Sequence, residues 1–300
     1  MSFLPPAQRP ARLAVGVIGA GRVGAVLAAA LARAGHRVVA VAAVSRASRE
    51  RAERLVPTAR VMPADEVAAA AELLLLAVPD DALADLVTGL ANAGAVRRGT
   101  LVAHTGGAHG IDVLEPLTSA GALPLALHPV MTFTGTEVDL QRLDGACFGV
   151  TTSEVLRPVA EALVIEMGSE PVWIAEDLRA MYHAGLAFGA NNLVTLVAEA
   201  SDLLTRAGVE NPHRMLGPLL GAALDNSLRH GDRALTGPVA RGDAGTVATH
   251  LQAIGAQAPE AISAYVEMSR LTAVRALAAG TLTPERAEAL LDVLASRERA

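Results

Sequence analysis

The sequence predicts an α/β protein in which a parallel sheet covered by helices on both faces is followed by an all-α region. Three observations carry this. Short apolar or β-branched runs alternate with Ala/Leu-rich helical runs from residue 13 to about 174. The first apolar run ends in a glycine-rich turn that opens a helix. After about residue 175 the strand signals stop. Strands alternating with helices are the signature of a parallel sheet.

The elements follow in order. Leu13–Ile18 is a short apolar run ending in glycine, and Val23–Ala34 is helical, with Gly35 as its C′ residue. Arg37–Val44 is strand-like and Arg46–Leu55 is a polar helix. Leu73–Val78 is a buried strand stopped by Pro79, and Ala82–Ala91 is a helix. Thr100–His104 is a strand, Asp112–Ala120 a helix, and Leu123–His128 a strand ended by Pro129. Cys147–Thr151 and Pro171–Ile174 are strands either side of the helix Val155–Met167. Beyond them, Leu178–Ala207, Arg214–Arg229, Ala244–Ile254, Pro259–Ala279 and Pro284–Glu298 are helices separated by Gly, Asp and Pro. Two domains result, 1–175 and 176–300. Met1–Arg12 lacks the order of a signal peptide and is expected to be a loose arm on a cytoplasmic protein.

Composition narrows the chemistry. Apolar residues make up 52 % but aromatics only 2 %, so Ala, Val and Leu must fill the cores, which favours closely packed helices. The single cysteine, Cys147, rules out an internal disulfide and a Cys-rich zinc site. All positive charge is arginine, so neither a Schiff base nor a lysine acid is available. A net charge of −6 without a basic run argues against a nucleic-acid partner. No segment reads as a membrane span, because glycines and Arg22 interrupt the apolar stretch Leu13–Ala32.

Gly19-Ala20-Gly21-Arg22-Val23-Gly24 is the G-x-G-x-x-G of a Rossmann dinucleotide site. The motif alone is weak, but its strand–turn–helix setting is specific. Gly19 allows the turn, Gly21 lets the pyrophosphate approach backbone, and Gly24 permits close helix–strand packing. The helix start offers free N–H groups to phosphate. After the second strand, where an NAD site usually carries an acid, the chain has Ser45-Arg46-Ala47-Ser48-Arg49. Hydroxyls and arginines there suit a 2′-phosphate, with Ser45, Arg46 and Arg49 as its ligands, or the stretch is only a solvated helix start with Ser48 as its cap. The cofactor is therefore read as NADP(H). Val78, Pro79 and Asp80 follow another strand and border the cofactor, or they only end the strand and start a helix. In His104-Thr105-Gly106-Gly107, Thr105 and Gly106 are cofactor-binding candidates, and the glycines let backbone approach the nicotinamide end.

Candidate substrate residues lie later. His128 and Thr132 belong to His128-Pro129-Val130-Met131-Thr132-Phe133-Thr134, where His128 is a wall of the site or bonds loop backbone. Tyr182-His183 opens the long helix, and Asn191 lies about 80° from His183 on the helical wheel, so the two share a side. Arg241, in Thr236–Asp243, holds a substrate carboxylate or pairs with Asp243, which is the better N-cap for the next helix.

On Gly19–Gly24, His104–Gly107, His128–Thr134, Tyr182–Asn192 and Thr236–Asp243, the chain resembles a Rossmann-like bacterial family of the 6-phosphogluconate-dehydrogenase-like superfamily. Some of its members look like an alternative ketopantoate reductase. The wider resemblance is to pyrroline-5-carboxylate reductase and prephenate dehydrogenase. It implies a helical second domain that dimerises and a substrate held between domains. Better-known ketopantoate reductases use a lysine on the long helix; this chain has none, and His183 occupies the comparable region. The expectation is an NADPH-dependent reductase of a small carbonyl acid. In it, His183 is the proton donor, His128 the second candidate, Asn191 holds the carbonyl oxygen, and Thr132 and Arg241 orient the carboxylate. The alternatives are an imine reductase, a prephenate-type dehydrogenase and a non-catalytic NADP sensor.

Overall fold

The structure, a computed structural model, describes residues 12–295. Most of the expected N-terminal arm, and the last residues of the helix expected to end at Glu298, lie outside the described residues. The chain divides into two compact units between Phe188 and Gly189. The sequence reading put the division at 175/176, where strand signals end. The start of the long helix stays with the sheet because Arg179, in its first turn, is buried there.

The first unit is built on an eight-stranded sheet of order β3-β2-β1-β4-β5-β6-β7-β8. The strands are β1 (Ala14–Ile18), β2 (Arg37–Ala42), β3 (Arg60–Val61), β4 (Leu73–Leu76), β5 (Leu101–His104), β6 (Leu123–Pro129), β7 (Cys147–Thr151) and β8 (Glu170–Trp173). The helices between them are α1 (Arg22–Arg33), α2 (Arg46–Leu55), α3 (Ala64–Ala70), α4 (Asp80–Asn92), α5 (Glu115–Ser119), α6 (Val138–Arg142) and α7 (Arg157–Glu166). Two apolar cores flank the sheet. One joins α1 and α7 to residues such as Val15, Leu75, Leu125 and Phe148; the other joins α3 and α4 to Leu74, Leu76 and Val102. Close approach depends on small residues. A Cβ on Gly16 would lie 2.8 Å from the carbonyl oxygen of Val67, so α3 can seat on β1 only over glycine.

In this unit three short elements escape the sequence reading: β3, α3 and α6. Two residues of strand and a five-residue helix are too short for periodicity to register. The expected helix Asp112–Ala120 is a 3₁₀ turn, Asp112–Leu114, followed by α5. One pairing also departs from the expected parallel sheet: β6 and β7 run antiparallel, with His128 opposite Gly149. A parallel return needs a crossover helix long enough to cover the sheet. Between β6 and β7 the only α-helix is α6, with five residues, and the chain instead reverses direction. The other pairings are parallel.

The second unit is helical. It takes the later part of α8 (Arg179–Arg206) and adds α9 (Pro212–His230), α10 (Gly237–Arg241), α11 (Ala244–Gln257), α12 (Ile262–Ala278) and α13 (Pro284–Ala295). Its core gathers Val247, Leu251, Val266, Ala273, Ala276 and Leu290. Asp243 caps α11, accepting from the Thr246 N–H at 3.1 Å and the Thr246 hydroxyl at 2.7 Å. Of the 28 residues of α8, only Arg179 is buried. No helix among the described residues is long and apolar enough to cross a membrane.

Candidate active site

The sheet reverses its winding between β1 and β4, and a crevice opens there at the carboxyl ends of the strands. Gly19 takes φ +98°, a conformation that L side chains rarely adopt. A Cβ on Gly24 would run into the carbonyl oxygen of Gly19 and lie 2.8 Å from the Ala77 Cβ, so glycine is required for α1 to start this close to the sheet. A Cβ on Gly21 would meet nothing within 4 Å; its backbone faces open space. That space is a cavity of about 890 Å³ bordered by Gly19–Gly21, Ser45, Ser48, Arg49 and Val78–Pro79. Its size and its glycine-lined helix start fit a dinucleotide.

The residues expected at the 2′-phosphate separate. Ser45 is the N-cap of α2, accepting from the Ser48 N–H at 3.1 Å. Arg49 borders the cavity and donates from Nε to the Ala43 carbonyl at 3.2 Å. Arg46 pairs with Glu50 at 2.7 Å with its side chain 92 % exposed. Arg22 and Val23 begin α1, which Gly21 caps. Asp80 starts α4, and a Cβ on Gly106 would lie 2.7 Å from its Oδ1, so the Asp80 carboxylate reaches the loop after β5. Thr105 extends that loop from β5, its N–H donating to the Leu76 carbonyl at 3.1 Å.

A second cluster stands at the carboxyl ends of β5 and β6. His104 is fully buried. The Gly106 N–H donates to its Nδ1 at 3.1 Å, so its Nε2–H donates to the Gly110 carbonyl at 2.7 Å. Burial holds its pKa down at about 4 against the opposing pull of that carbonyl. It is a neutral strut for the glycine loop. His128 and His183 converge over Gly107. A Cβ there would lie 2.5 Å from His183 Cδ2 and 2.9 Å from His128 Nε2. The two rings meet edge to face with centroids 5.8 Å apart. His128 Nδ1 lies 2.8 Å from the Tyr182 hydroxyl. Burial, then the neighbouring His183 and Arg179, push the His128 pKa down to about 4, so the ring is neutral at pH 7.

The structure thus brings together His128, His183, the neighbouring Tyr182, to which the sequence assigns no role, and Arg179, which it does not single out. Arg179 donates from Nε to the Thr151 hydroxyl at 2.7 Å and from Nη2 to the carbonyls of Ala126 and Gly149 at 3.1 and 3.0 Å. Its guanidinium stands 5.6 Å from the centre of the Tyr182 ring. The spacing of Arg179 and Tyr182, three residues apart at a helix start, was the available signal, since such positions share a face. Thr132 is exposed in the loop after β6. That loop is pinned by Asp139, fully buried, which accepts from the N–H groups of Thr134 and Gly135 at 2.8 and 2.7 Å. Asn191 and Arg241 belong to the second unit, where both are exposed.

Residues 5–129 match the Rossmann-like domain family and residues 146–272 match a domain of unknown function, DUF2520. The two matches follow one another along the chain, each over less than half of it. Its fold is shared by several solved structures. A candidate NADP oxidoreductase from Bacteroides fragilis superposes with a TM-score of 0.74 at 24 % identity, covering 87 % of this chain and 98 % of its own. A reductive aminase from Aspergillus terreus, in complex with NADPH and ethyl levulinate, gives 0.61 at 17 % identity over 93 % and 99 % of the two chains. Pyrroline carboxylate reductase from Plasmodium falciparum, with NADP bound, gives 0.54 at 14 % identity over 87 % and 98 %. No curated protein matches the chain.

Proposed function

We propose that the protein is a cytoplasmic NADP(H)-dependent reductase of a small carbonyl acid, with ketopantoate as the first substrate to test. The observation that carries this reading is the convergence of His128 and His183 over Gly107, in the unit that also bears the glycine turn and its cavity. When bound, the reduced nicotinamide supplies a hydride to the carbonyl carbon. The chain must then deliver a proton to the oxygen, and a histidine side chain suits this task. His183 is the donor. His128, neutral at pH 7, stands beside it. The NADP and NADPH carried by the two related structures named above support the choice of cofactor.

The test is NADPH oxidation against a panel of 2-keto acids and cyclic imines. Turnover of a keto acid well above that of the imines is the expected result. Turnover of imines alone would move the reading to an imine reductase, and tight NADPH binding without any turnover would move it to a sensor.

Arg49 carries the preference for the 2′-phosphate in this reading. Arg49→Ala should weaken NADPH at least tenfold while NADH changes little, since a charged two-pronged hydrogen bond is worth about 1.5–3 kcal/mol. Arg46→Ala should have the smaller effect, because its guanidinium is engaged by Glu50. Titrating both cofactors by fluorescence decides it; equal losses for the two would remove Arg49 from the 2′-phosphate.

The second unit supports a homodimer. Leu193, Val194 and Leu196 on α8 and Leu219, Leu224 and Leu228 on α9 are all exposed in the single chain. Helices hold in water chiefly by burying an apolar face, and an exposed apolar face of this kind marks an interface. Light scattering should therefore return twice the chain mass of 30.7 kDa. A monomer mass at every concentration would remove the dimer from the reading.

A further inference from the structure

The cluster holds one hydrogen bond whose direction follows from its two partners. The Tyr182 hydroxyl and His128 Nδ1 are 2.8 Å apart, and either could supply the proton. A neutral imidazole nitrogen is the stronger acceptor and a phenol O–H the stronger donor, which favours the O–H···N sense. The phenol also comes close to Gly149 on β7. The approach depends on glycine, because a Cβ on Gly149 would collide with the Tyr182 hydroxyl and lie 3.1 Å from its Cε1. The antiparallel run of β7 puts Gly149 opposite His128, so one strand register places both neighbours of the phenol. Arg179 ties the same place together: it bonds the Gly149 carbonyl and stands over the Tyr182 ring.

We propose that Tyr182 is a positioning residue that donates its hydroxyl hydrogen to His128 Nδ1 and so fixes His128 as the Nε2–H tautomer. The Nε2–H then points over Gly107 as a neutral hydrogen-bond donor for a substrate oxygen. A ring fixed in this way cannot turn its bare nitrogen to the substrate, and an oxygen acceptor is selected. Gly107 keeps the approach open, since a side chain there would fill the space before both histidines. The choice of a carbonyl oxygen as that acceptor rests on the reductase reading above; the tautomer does not.

Long-range proton–nitrogen NMR spectra of the ligand-free, ¹⁵N-labelled protein read the tautomer directly. Native protein should show His128 with a protonated Nε2 and a bare Nδ1. In Tyr182→Phe the His128 signals should move toward a mixture of tautomers. With a keto acid that the native protein reduces, kcat of Tyr182→Phe should fall about tenfold with NADPH affinity unchanged, less than the ~10²-fold expected when an oxyanion donor is deleted outright. His128→Gln, which keeps a donor without a tautomer choice, should be insensitive to the added Tyr182→Phe. A native His128 protonated at Nδ1 overturns the proposal, as does a Tyr182→Phe protein whose His128 signals and kcat both match the native. If the tautomer is as stated and no panel compound is reduced, the reductase reading fails while the positioning by Tyr182 stands.

Discussion

His183→Ala should slow turnover of the accepted keto acid by about 10²–10⁴-fold, the usual contribution of a positioned general acid. NADPH affinity should stay near native, because the cofactor cavity is bordered by the glycine turn, Arg49 and Val78–Pro79 and not by His183. His183→Gln keeps a hydrogen bond but has no titratable proton, so it should be almost as slow. Both variants should melt close to the native temperature. The ring is partly exposed, so its loss removes little burial. Stopped-flow single turnover with melting curves on the same samples separates this from a structural role, in which the melting temperature falls and each folded molecule still reacts. His128→Ala belongs in the same series. His128 is neutral down to about pH 4, so His128→Ala should leave the shape of the pH–rate profile intact at neutral pH. Near-native turnover in the His183 variants beside a dead His128→Ala would exchange the two assignments.

The glycine turn gives the second large effect, and its second and third glycines should fail in opposite ways. Gly24→Ala places a methyl against the Gly19 carbonyl and 2.8 Å from the Ala77 Cβ, both on fixed elements of the core. Backbone cannot yield as a side-chain end can. The expected loss is about 3 kcal/mol, the upper part of the range for an overpacked core, seen as a lower melting temperature with or without cofactor. Gly21→Ala should melt like the native protein. Its φ is −68°, which alanine adopts freely, and its Cβ meets nothing within 4 Å. The methyl instead occupies the open side from which a pyrophosphate approaches, and NADPH affinity should fall at least tenfold, about 1.4 kcal/mol. Native NADPH affinity in Gly21→Ala would mean that the phosphates do not pass this turn.

These contrasts rest on distances that no sequence pattern contains, although the pattern located the glycines. The six-residue motif was legible because each of its glycines answers a local need: a turn at positive φ, an approach, a packing contact. Arg49 and Arg46 show the limit. Both are arginines one turn apart on the same helix, equivalent to a sequence reader, and only the fold turns one to the cavity and leaves the other with Glu50. Ser45 was legible as polar and proved to be the cap of α2.

The sequence by itself determined the alternation of strands and helices, the glycine turn and the helical second half, because periodicity, small residues and Pro/Gly punctuation are local properties of the chain. It also marked His128, His183 and the Tyr182 beside it as polar groups at strand ends and at a helix start. What only the tertiary structure decided is that these groups meet. His128 and Tyr182 are 54 positions apart, and they meet at 2.8 Å beside the antiparallel pairing of β6 and β7. That pairing follows from a connection too short to carry a full crossover helix, and it brings Gly149 opposite His128. Arg179 is the sharpest case. In the sequence it is one arginine among many at a helix start, and in the fold it is 1 % exposed, bonded to both strands and placed over the Tyr182 ring. A buried guanidinium is tolerated only where carbonyls and hydroxyls converge on it. That convergence is a property of strand register, which residues far apart in the chain set together.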